Sequence, residues 1–138
     1  MERVAGLQAI LREYDQAVQE LQKKRRMFDG LLGMGNHPGN DACHELLDRR
    51  IEALCREAAE AGAPEEAAAL AEAILRAEGN WQGPEYARLM LVAVQRHTLS
   101  LIPLLPPDEK KRLAAWYEKQ YPRRKRLPVQ GQVLKALQ

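Results

Sequence analysis

The sequence predicts an all-α fold, a five- or six-helix bundle that starts with a long antiparallel helical hairpin. Three observations carry this expectation. Apolar residues recur at spacings of three and four, and no segment alternates apolar and polar residues over the length of a strand. Aromatics are only 5% of a chain that is 46% hydrophobic, so the core must come from Leu, Ala, Val and Ile, of which Leu and Ala favour helix. Proline followed by acid also recurs where new helices are expected, at Pro64-Glu65-Glu66, Pro84-Glu85 and Pro107-Asp108-Glu109. Proline in a first turn loses no needed amide hydrogen bond, and the carboxylates meet the positive end of the helix dipole.

The first helix is expected from about Val4 to Leu32. Val4, Leu7, Leu11, Tyr14, Val18, Leu21, Phe28 and Leu32 form a heptad seam broken only at Arg25, and Ile10 and Leu31 widen it. Gly33, Gly35, Pro38 and Gly39 end it. A second helix starts near Asn40 or Asp41, which cap exposed amides, and its apolar face is Cys43, Leu46, Leu47, Ile51, Leu54, Cys55 and Ala58. A connection of about eight residues suits a hairpin spanning about 4–61. The third helix, about 64–78, buries Ala67, Leu70, Ala71, Ile74 and Leu75. The fourth, about 84–102, is apolar on most sides and is expected at the centre of the bundle. There Leu11, Val18 and Leu21 of the first helix are expected to pack on it and on the second helix. The fifth, about 107–121, presents Leu113, Trp116 and Tyr117. A short sixth, about 129–137, offers Val129, Val133, Leu134 and Leu137.

A length of 138 residues is the size of one domain, and residues 1–138 read as a single helical domain. Roughly two-thirds of the unfolded surface can be buried at this size, enough for stability without staples. Cys43 and Cys55 lie on one predicted helix, roughly 18 Å apart along its axis, too far for a disulfide. Reduced, poorly accessible thiols and an N-terminus without a signal-peptide pattern predict a cytoplasmic protein. The most apolar run, Leu89 to Leu105, carries Arg96 and His97 and is too short for a bilayer, so no membrane is expected.

The turn from Gly33 to His44 and the helix after it hold the residue types that ligate metal. Asp41, His44 and Asp48 recur at spacings of three and four, and His37 folding back from the turn would complete a divalent-cation site. No second CxxC or HxxxH half accompanies them. A purely structural reading also accounts for them: glycines for positive φ, Pro38 for a turn, Asp41 as a cap and Cys43 packed inward. His97 has no carboxylate near it in sequence and is expected at the core edge, bonded to a carbonyl.

Charge is segregated. Residues 36–100 hold eleven acids and six Lys or Arg, whereas residues 101–138 hold three acids and nine. The basic excess gathers in Arg123, Arg124, Lys125 and Arg126, between Pro122 and Pro128, with Lys110-Lys111-Arg112 and Lys23-Lys24-Arg25-Arg26 elsewhere. Held extended by its prolines, the first cluster would track a phosphate backbone, with Trp116, Tyr117 or Tyr121 as a stacking platform. Lying against the acidic helices, or facing solvent, it would do neither.

No phosphate-binding glycine loop, nucleophile elbow or paired-acid motif is present, so the sequence names no activity and calls for no cofactor. The first expectation is a non-catalytic helical interaction module whose partner is another protein or a second copy of the chain. The alternative is nucleic-acid binding by the basic segment, and after it a metal-assisted enzyme built on residues 33–48.

Overall fold

The computed structural model describes residues 2–32 and 42–138, with the backbone alone over 25–32. These residues form six α-helices and no strand: α1 Glu2–Leu32, α2 Ala42–Ala61, α3 Pro64–Ala77, α4 Glu85–Ala93, α5 Pro107–Gln120 and α6 Pro128–Leu137. The protein is an all-α helical bundle. Short 3-10 segments at 78–80, 94–100, 102–104 and 123–125 join the later helices.

The first two helices run antiparallel. Gly6 lies against Leu54, Glu13 pairs with Arg50 and Tyr14 bonds His44, so contacts rise along one helix as they fall along the other. Among the described side chains of α1, Leu7, Ile10, Tyr14 and Val18 are buried, while Leu11 and Leu21 are half-buried; the expected positions Phe28, Leu31 and Leu32 lie outside the described side chains. On α2 the buried face is His44, Leu47, Ile51, Cys55 and Ala58. It is turned from the expected face, for Leu46 is exposed and Cys43 only half-buried. Cys55 is fully buried, and desolvation pushes its thiol up to about 12. Gly62 ends α2 with a φ of 68° and donates its amide to the Ala58 carbonyl, a left-handed cap that turns the chain directly into α3. Pro64, Pro107 and Pro128 open their helices in the first turn, whereas Pro84 stands just before α4 as its cap.

The expected fourth helix, 84–102, is divided. Its α-helical part stops at Ala93 and the chain tightens into a 3-10 helix over Val94–Ser100. Beyond Leu99 an α-helix cannot continue, because Pro103 has no amide hydrogen and its ring would clash with the Leu99 carbonyl. Thr98 donates its hydroxyl to the Gln95 carbonyl at 2.7 Å, competing with the helical ladder. Winding three residues per turn stacks Gln95, Thr98 and Leu101 on one line, and all three are fully buried. This 3-10 segment, rather than α4, is the centre of the bundle, touching α2, α3, α4 and α6. Its α-helical neighbour leaves Leu89 exposed, and α1 packs mainly on α2 and α3.

A buried polar network crosses this centre. Tyr117 donates to Gln95 Oε1 at 2.6 Å, Tyr121 donates to Glu78, and Arg88 Nη1 reaches Glu78 Oε2 at 2.9 Å. Burial raises both tyrosine hydroxyls well above their ordinary range, so they stay protonated donors. On the surface, Glu72 of α3 receives Arg76 at 2.8 Å and Arg112 from α5, and Arg76 also lies 4.2 Å over the Trp116 ring. Among the described residues, no helix is long and apolar enough to cross a membrane.

Candidate functional site

Of the four residues expected to gather around a cation, His37 and Asp41 lie outside the described residues. The other two point to different surroundings. His44 turns inward and is buried among aromatic rings, edge-on to Tyr14 at 5.6 Å and to Tyr86 at 5.8 Å. Its Nδ1 shares a hydrogen bond of 2.7 Å with the Tyr14 hydroxyl, with Cys43 Sγ 3.9 Å away. This is the position on α2 where the core is made of rings, and an imidazole fits it.

Asp48, one turn further, faces the 3-10 segment instead. His97 Nε2 donates to Asp48 Oδ1 at 2.9 Å, and Arg96 Nη2 reaches the same oxygen at 2.7 Å. His97 is therefore anchored by a carboxylate rather than the expected carbonyl. Glu52, the next turn of α2, completes a group in which ligand-type atoms of Asp48, Glu52 and His97 all lie within 4.8 Å of one another. Glu52 and His97 also wall a cleft of about 590 Å³ with Cys55, Arg56, Glu60 and Ser100. Sequence reasoning singled out Asp48 and His97 separately and left Glu52 out. The pair is 49 residues apart, so no local spacing announces it.

The larger opening runs along α1. A cleft of about 730 Å³ follows this helix from Leu7 to Gln22, with the end of α3 and residues 80–84 as its opposite wall. Half-buried Leu11 and Trp81 give the cleft its accessible apolar surface, with buried Leu7, Val18 and Leu91 beneath it, and Gln8, Arg12, Asp15, Gln19 and Gln82 supply a polar rim. Trp81 is held in place on three sides. Its indole nitrogen donates to the Pro84 carbonyl at 3.1 Å, and its ring packs 5.6 Å from Tyr14. A side chain at Gly83 would begin 2.6 Å from the Trp81 ring, so only glycine lets the backbone lie so close.

The basic segment forms a single 3-10 turn, Arg123–Lys125, rather than an extended strip, closed by Lys125 N donating to the Pro122 carbonyl at 2.9 Å. Arg123, Arg124 and Lys125 are exposed and form no ion pair among the described residues. Arg126 folds back and donates to the Tyr121 carbonyl at 3.0 Å, satisfying the end of α5. The expected stacking platform is committed elsewhere, since Tyr117 and Tyr121 are buried and Trp116 carries Arg76. Compared with protein-family models, curated proteins and solved structures, the chain matches none.

Proposed function

We propose that this chain is a non-catalytic interaction module that receives an amphipathic helix of a protein partner in the cleft along α1. The observation that carries the reading is the length and lining of that cleft. From Leu7 to Gln22 it follows α1 for about 22 Å, the length of a helix of roughly four turns. Apolar Leu11 and Trp81 edged by glutamines, Arg12 and Asp15 match a helix that carries apolar anchors on one face and polar residues beside them. Half-buried Leu11 and Trp81 are available as contact surface without unfolding anything. The test is capture from native lysate, with and without nuclease treatment, by the wild-type chain and by Leu11→Glu, which places a charge in the cleft. The expected result is one protein retained by the wild type and lost by the variant, with helical content and melting temperature preserved in both. Equal capture by both would remove the cleft from the interface. Capture abolished by nuclease alone would favour nucleic acid as the partner. Sedimentation of the two proteins reports whether the occupant is a second copy.

A further inference from the structure

We propose that Asp48, Glu52 and His97 form a site for a first-row divalent cation, zinc foremost, with open coordination positions facing the neighbouring cleft. The residue set is one imidazole and two carboxylates, ligands that suit zinc or cobalt better than an all-oxygen cage for calcium. Their placement fits as well. Tetrahedral metal–ligand bonds of about 2.0–2.2 Å place adjacent ligand atoms roughly 3.3–3.6 Å apart. His97 Nε2 and Asp48 Oδ1, 2.9 Å apart, need to part by only about half an ångström, and Glu52 follows one helical turn beyond Asp48 with all three ligand atoms within 4.8 Å of one another. The ring nitrogen that faces the carboxylates is Nε2, so a cation binds its lone pair in the tautomer that carries the single ring proton on Nδ1, and the hydrogen bond to Asp48 is given up. Three protein ligands leave at least one position for water or an exogenous group. That position faces a cleft of about 590 Å³ whose walls include Glu52 and His97 themselves. Arg96 is the competitor: its guanidinium holds Asp48 at 2.7 Å, but its side chain is half exposed and swings to solvent when a dication takes the carboxylate.

The experiment is titration of the full chain with zinc by calorimetry and with cobalt by visible absorption, comparing wild type with His97→Gln, Glu52→Gln and Arg96→Gln. One equivalent is expected to bind the wild type, at least about tenfold more weakly to His97→Gln and to Glu52→Gln, and more tightly to Arg96→Gln. Glu52 is exposed, so its variant keeps the test valid even if His97→Gln fails to fold. The cobalt spectrum should lack a thiolate charge-transfer band. Such a band would place the cation on Cys43 or Cys55 and overturn the proposal. Unchanged affinity in Glu52→Gln, or no binding by the wild type at millimolar zinc, would overturn it equally.

Discussion

Gln95 shows what single residues decide in this protein. It is a fully buried amide on a line with Thr98 and Leu101, and Tyr117, also fully buried, supplies its hydrogen bond at 2.6 Å. Removing that hydroxyl leaves the Gln95 carbonyl oxygen without its donor in a place water does not reach. Tyr117→Phe is therefore expected to cost about 1–3 kcal/mol, read from urea unfolding, with helical content unchanged. An unchanged midpoint would show that the oxygen finds another donor. Nothing near Gln95 in sequence points to Tyr117, which lies 22 residues away on another helix. By contrast Leu70, Ile74, Leu113 and Val133 are buried where their spacing places them, because an apolar stripe on a helix has one way to leave water.

At the scale of elements, proline and glycine set the boundaries and charges tie the elements together. Pro64 and Pro107 start α3 and α5 where the sequence places them, whereas the change from α to 3-10 after Ala93 is concealed by the apolar pattern over 84–102. Glu72 joins α3 to α5 through Arg112. That hydrogen bond, with Arg76 adding to it, holds the Glu72 carboxyl below the usual glutamate value of 4.5 against the opposing effect of partial burial. The folded chain thus keeps this group ionised to lower pH than the unfolded chain does. Its contribution is complete above about pH 4.5 and is lost as pH falls through the lowered value. Glu72→Gln is expected to be less stable than wild type at neutral pH, and the difference should narrow as the solution is acidified below pH 4.5. Thermal melts across that range check it; parallel stability curves for the two proteins would remove Glu72 from the acid response.

For the whole molecule, the question is which surface meets a partner. The acidic middle and basic end of the sequence partly neutralise each other in the fold, as Arg112 on Glu72 shows. What remains of the basic segment is three exposed cations on one turn without a free aromatic platform. Three phosphate contacts give a shallow salt dependence and weak affinity. Fluorescence anisotropy with single- and double-stranded oligonucleotides is therefore expected to show weak binding at low salt that vanishes at physiological salt. Tight binding that is lost when Arg123, Arg124, Lys125 and Arg126 are all changed to Gln would reverse the ranking of the two readings. The cleft along α1 offers more: half-buried Leu11, a fixed tryptophan and the length of a helix.

The sequence by itself determined the class of fold, the order of the described helices and many of the buried positions, because helical periodicity and proline starts act over a few residues. It did not determine which polar side chains meet. Asp48 and His97 are each visible as residues capable of chemistry, yet their meeting depends on how the 3-10 segment crosses α2, and His44 leaves Asp48 because the core there is aromatic. The same holds for the cleft, whose floor is α1 but whose far wall is residues 80–84, set by Gly83 and the hydrogen bond from Trp81 to Pro84. Local physics writes the elements. Sites arise between elements, where long-range packing alone sets the distances.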